Sequence, residues 1–226
     1  MTLPTLAITI DHHPEAYDAA VMMQARGIVG TFFPSPTKIV DRPKPGHFLQ
    51  DYLFRMKMWG FEIGAYSEKN MTTFYAANGR KLTNEWLMYI RSVMYKWGCP
   101  VVSLAPNSRD WSVPLAGLAA QHFENVRVAD LTSYEAYPIV DRMFVRGGSF
   151  ASLHNGQTVT DLTNKLDNLI ATGGLLPIVV HRVSDDGAQV GLTINKTKFA
   201  GFLDAVKTRM NEGTLRVRTF ARAMEA

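Results

Sequence analysis

Leu6-Ala7-Ile8-Thr9-Ile10-Asp11-His12-His13-Pro14-Glu15-Ala16-Tyr17, followed by Arg26-Gly27-Ile28-Val29-Gly30-Thr31-Phe32-Phe33, is the stretch whose reading decides the fold. It opens on an apolar run that ends in adjacent side chains able to titrate or to ligate. A short helical segment follows, then a second strand ending in aromatics. Apolar strands without clean alternation suit a sheet covered on both faces. Strand, helix and strand joined by short connections imply parallel pairing.

Outward from this stretch the alternation continues. Strand candidates are Thr5–Ile10, Gly30–Phe33, Glu62–Ala65, Val101–Leu104, Val126–Ala129, Leu175–Val180 and Leu215–Thr219. Tyr17, Ala20, Val21 and Met23 share one side of a first helix. Leu49, Leu53 and Met56 stand at i, i+4 and i+7 in a second, over Phe48 to Trp59. Asn84 is placed to cap a third helix through Trp86, Ile90, Val93, Met94 and Trp97. Asp161 is placed to cap a fourth through Leu162, Leu166, Leu169 and Ile170, with Gly173-Gly174 as its stop. Lys198 to Met210 forms the last. The irregular spacing and the long stretch from Asp130 to Thr160 predict an α/β chain folded as a single distorted, incomplete parallel (β/α) barrel. It is read as one domain over residues 1–226.

With 226 residues, 46% hydrophobic and 11% aromatic, the chain can bury a large core. Its net charge of +4 comes without a block of Lys or Arg or a basic stripe interleaved with aromatics, which argues against a nucleic-acid partner. The one cysteine, Cys99, excludes an intramolecular disulfide and leaves the compartment open. No apolar run approaches the roughly 18 residues of a membrane span. The N-terminus enters the first strand without a leader's basic and apolar segments. Either the chain is not exported alone, or a leader or larger partner module has been removed.

The opening stretch resembles that of the polysaccharide deacetylase (NodB-homology) family, which reads roughly T-F-D-D-G-P, a helix, then G-x-x-A-T-F-F. Gly60-Phe61-Glu62-Ile63-Gly64 matches next, and Leu176-Pro177-Ile178-Val179-Val180-His181 is similar to the family's L-L-L-H strand. Leu192-Thr193-Ile194 before Phe199 and Phe202-Leu203, then Val217-Arg218-Thr219-Phe220, extend the resemblance over nearly the whole chain. It implies a barrel whose chemistry sits at the C-terminal ends of the strands. Members of the family bind a divalent metal through one aspartate and two histidines, with a second aspartate as base and a late histidine as acid. Carried over by position, Asp11 matches the base and His181 the acid. The metal aspartate falls on His12, and the H-S/T-x-x-H ligand pair on Tyr66-Ser67-Glu68-Lys69-Asn70. The arginine motif R-P-P-Y falls on Leu104-Ala105-Pro106-Asn107. Both ligand histidines and that arginine are missing. A standard zinc site is therefore not expected, and any divalent ion should involve His12.

Each residue also has a plainer reading. Asp11 could cap the helix beginning at Pro14, and His181 could be a buried histidine satisfied by backbone. A regular strand would send His12 and His13 to opposite faces, so at most one should meet Asp11. Tyr66 is either a cleft wall or a platform for a sugar ring, with Asn70 a second substrate contact. Glu68-Lys69 reads as a solvated loop, and His154 as part of a surface turn. Arg146 lies where the family carries a further arginine. It would orient Asp11 or hold a uronate or acyl oxygen, or else pair with Asp141 or Asp130 on the rim.

The activity implied is removal of acetyl or other acyl groups from an acetylated poly- or oligosaccharide. The alternative is a carbohydrate-binding module on a barrel that has lost its metal. A small-molecule hydrolase reusing the barrel is a third possibility.

Overall fold

A computed structural model describes residues 3–107, 111–128, 135–137, 139–146, 156–185 and 193–225. The first half of the chain runs through β1 (Thr5–Asp11), α1 (Ala16–Gln24), β2 (Thr31–Phe33), β3 (Ile39–Val40), β4 (Phe48–Leu49), α2 (Gln50–Met58), β5 (Glu62–Ile63) and β6 (Ala65–Ser67). There follow α3 (Met71–Lys96), β7 (Ser103–Pro106), α4 (Val113–Ala119), β8 (Asn125–Val128) and β9 (Val145–Arg146). The last third holds α5 (Val159–Thr172), β10 (Leu175–Val180), β11 (Arg182–Ser184), β12 (Thr193–Asn195), α6 (Lys196–Asn211), β13 (Arg216–Val217) and α7 (Phe220–Ala223).

The strands pair in parallel as β10-β1-β2-β5 and as β6-β7-β8-β9. Gly64 joins the two sheets. Its N–H donates to Phe32 O at 2.8 Å and the Tyr66 N–H to Pro34 O at 3.0 Å, so the ladder with β2 passes from β5 into β6. A Cβ on Gly64 would lie 2.5 Å from the Phe33 ring and 3.0 Å from Ser103 O, so this close approach is open to glycine. Among the described residues β9 and β10 share no ladder. An isolated antiparallel bridge between Glu135 and Leu175 lies beside β10. The architecture is an incomplete parallel barrel.

Alternation along β1 sorts its two faces. Leu6, Ile8 and Ile10 join the outer core beneath the helices, with Met23, Phe32, Leu166, Ile178 and Phe202. Ala7 faces inward among Phe33, Tyr66, Ala105, Val145 and Leu175, and α7 adds Phe220 and Ala223. The Phe220 N–H donates to Thr31 Oγ1 at 2.7 Å and the Ala221 N–H to Glu62 Oε2 at 2.8 Å, which ties α7 to the inner strands.

Several helix readings need correction. Val21 faces solvent at 41% exposure, and α1 instead buries Ala16, Ala19, Ala20 and Met23. Phe48 and Leu49 pair with β3, so α2 begins later than its periodicity suggested. The third helix starts at Met71, capped by Asn70, whose Oδ1 accepts from the Thr73 N–H at 3.0 Å. A kink at Gly79 (φ 69°) splits its apolar pattern, and Asn84 lies inside it, bonded to His122 at 2.7 Å. Thr158 caps α5, and Asp161 closes the capping box three residues on.

Candidate functional site

Asp11 is the last residue of β1 and His181 follows β10, its neighbour in the sheet, so parallel pairing brings the two to one rim. His181 Nε2 stands 3.6 Å from Asp11 Oδ2. The closer partner of Asp11 is Arg127 on β8. Its Nη2 donates to both carboxylate oxygens, at 2.8 and 3.0 Å, and its Nη1 to Thr9 Oγ1 at 3.3 Å. The guanidinium lies 5.2 Å from the centroid of the Phe33 ring. Both members of the pair are buried, Asp11 to 4% and Arg127 to 3% exposure. Asp11 therefore does not cap α1, whose N-cap residue is Glu15.

The arginine that holds Asp11 is Arg127, not Arg146. Arg146 is more than half exposed on β9, and its Nε lies 3.3 Å from Glu135 Oε1. Asp141 accepts from the Met143 N–H instead. Asp130 and His154 fall outside the described residues. The signal for Arg127 was in the sequence: an arginine between Val126 and Val128 in a buried strand needs an ionised partner across the barrel.

His12 and His13 do not diverge. β1 ends at Asp11, so strand alternation no longer governs them, and their rings lie 4.4 Å apart. His12 also packs on Tyr66 at 4.1 Å, and His13 stands 6.4 Å from His181. These rings line one wall beside Asp11. Tyr66 backs that wall at only 7% exposure, so its ring is a wall and not an open platform for a sugar. Asn70 is exposed, and its carboxamide oxygen is occupied in capping α3. Glu68-Lys69 is not a solvated loop. Both residues are half-buried; Glu68 accepts from Thr37 Oγ1, and Lys69 Nζ lies 3.9 Å from the Phe74 ring and 4.2 Å from Trp86.

Electrostatics follow from this packing. Burial alone would raise the Asp11 carboxyl, but Arg127, His181 and His12 together outweigh it and hold the group below the ordinary carboxylate value. Burial lowers His181, with the Asp11 charge opposing and Arg127 and His13 reinforcing. His12 is lowered chiefly by burial, and His13 falls to about 4 through burial and the neighbouring His12 and Arg182. Burial, with the Asp11 charge, raises the Tyr66 phenol and keeps it protonated. The site is a fixed anion, a fixed cation and a set of neutral imidazoles.

Those donors make a poor site for a divalent metal. The Tyr66 phenol is protonated, the Asn70 carboxamide is engaged in capping α3, and the His12 ring is packed between Tyr66 and His13. Among the described residues, no three His, Cys, Asp or Glu side chains are grouped so as to hold an ion.

No sequence-family profile matches the chain, and no curated protein is similar to it in sequence. Solved structures do match. A family 4 carbohydrate esterase from Streptomyces lividans, in complex with acetate, superposes with a TM-score of 0.59 at 10% identity, covering 95% of this chain and 91% of its own. A family 4 acetyl xylan esterase from Clostridium thermocellum, in complex with a cobalt ion, gives 0.58 at 14% identity over 98% and 90%. A peptidoglycan deacetylase from Bacillus subtilis gives 0.57 at 14% over 99% and 91%. This chain shares their fold. At such identities the likeness is one of architecture, and the function must be argued from the site.

Proposed function

We propose that the protein is a carbohydrate acyl hydrolase, a deacetylase or esterase, that works by proton transfer between Asp11 and His181. The observation that carries this reading is the buried Asp11–Arg127 pair presented 3.6 Å from His181 at the strands' C-terminal rim. A carboxylate fixed by a cation beside an imidazole is an arrangement for moving a proton. Asp11 accepts the proton of a water attacking the acyl carbonyl. The acyl carbon–oxygen or carbon–nitrogen bond breaks, and His181 delivers a proton to the departing sugar oxygen or amine. His181 is held neutral at rest, so the proton it delivers is the one taken up by Asp11 in the same turnover. The shared architecture with two carbohydrate esterases and a peptidoglycan deacetylase supports an acylated glycan as substrate.

Asp11→Asn and His181→Ala should each lower acyl hydrolysis by about 10²- to 10⁴-fold, the contribution of a positioned proton-transfer group. Glycan binding should persist in both. The poor fit of the donor set to a metal favours a second reading, a carbohydrate-binding module without activity. On that reading the wild type binds acetylated glycan and releases no acyl group, and substitutions at the His12–His13 wall weaken binding more than changes at Asp11.

A further inference from the structure

Glu68 stands on the strands' C-terminal rim in a setting that the acid–base pair does not explain. It directly follows β6, whose C-terminal end lies beside that of β2 on the rim where β1 ends at Asp11, and it is two residues from Tyr66, whose ring packs on His12. Its charge is close enough to act on both His12 and Tyr66. One carboxylate oxygen, Oε1, is fixed by the Thr37 hydroxyl from the turn after β2. The other, Oε2, has no partner among the described residues.

The backbone around Glu68 is tied on every side. The Asn107 N–H donates to Ser67 O and Asn107 Nδ2 to Glu68 O, both at 3.1 Å. The Trp86 indole donates to Ser67 Oγ at 3.1 Å, and the Lys69 ammonium sits over the Phe74 and Trp86 rings. Asn70 then caps α3. A half-buried anion whose one oxygen is clamped and whose other is open is a preorganised acceptor, and it has little rotamer freedom left to lose on binding.

We infer that Glu68 is a hydroxyl-recognition group of the cleft. Its Oε2 accepts from a free hydroxyl of the sugar unit whose acyl group faces Asp11 and His181. Thr37 is its positioning residue. This inference rests on the carbohydrate reading above and makes it specific: the cleft selects partially acylated sugars that keep a free hydroxyl beside the acyl group.

The test is calorimetric titration with unacylated oligosaccharides, xylohexaose and cellohexaose, and with deoxyfluoro counterparts that cannot donate. Glu68→Gln places an amide N–H where the acceptor stood. It should weaken binding of the hydroxylated ligands roughly tenfold or more, as loss of a hydrogen bond to a charged group does. Binding of the fluorinated ligands should not change. Thr37→Val should weaken hydroxylated ligands less, and add nothing in the Glu68→Gln background. Unchanged affinity in Glu68→Gln, or an equal loss for fluorinated ligands, overturns the inference while leaving the carbohydrate reading in place. A wild type that binds none of the saccharides overturns both.

Discussion

Asp11 and Arg127 form the pair on which the rest of the site depends. Two buried ions of opposite sign stabilise each other only as a pair, and removing one strands the other in a low-dielectric interior. Arg127→Met should therefore cost about 3–5 kcal/mol in urea unfolding at neutral pH. Combining it with Asp11→Asn should recover part of that loss. An Arg127→Met protein as stable as the wild type would mean that the two charges are not in contact. At this scale the sequence was partly legible. That Asp11 and His181 share a rim was legible because each stands at the end of an apolar strand. The need of Arg127 for an ionised partner is legible, but not which partner, because Asp11 lies 116 residues away and only the fold brings the two together.

Among the strands and loops, the segment that follows β6 is a packed part of the scaffold. The segment Tyr66 to Asn70 contributes a ring backing His12, a clamped carboxylate, a cation held over two aromatic faces and a helix cap. Its side chains are committed to packing and capping, which a residue-type reading of a polar pentapeptide cannot show. Element order was legible because β10 and β1 are continuous apolar runs. The start of α3 was not, since the glycine at its kink interrupts the periodicity. Gly64 gives this scale its prediction. Gly64→Ala would force its new methyl into the Phe33 ring that lies beside Arg127. The substitution should cost about 1–3 kcal/mol, typical of an overfilled core, and lower the thermal midpoint. A midpoint equal to the wild type would show that the Phe33 ring can move aside.

Across the whole molecule, the imidazole wall couples stability to pH. His12, His13 and His181 all have folded-state values below the ordinary 6.5, so between that value and the folded one the unfolded chain binds more protons. Their contribution to stability is complete above about pH 6.5 and is lost as the pH falls, for His13 toward about 4. Asp11, also lowered, adds a further loss below its ordinary 3.8. Urea midpoints should fall between pH 7 and pH 5 and again below pH 4. Each melt should be a single transition if residues 1–226 form one domain. A midpoint constant from pH 7 to pH 5 would show that these imidazoles are not held neutral.

On the proposed function, this barrel hydrolyses acyl groups through Asp11 and His181 with a donor set that does not call for a metal. Acetate release from acetylated xylan by chelator-treated wild-type protein, with bound metal measured on the same sample, tests it most directly. We predict that acetate release continues without stoichiometric zinc and drops by about 10²- to 10⁴-fold in His181→Ala. Release that stops on chelation and returns with added zinc would overturn the proposed mechanism, as would binding of the polymer with every acetyl group left in place.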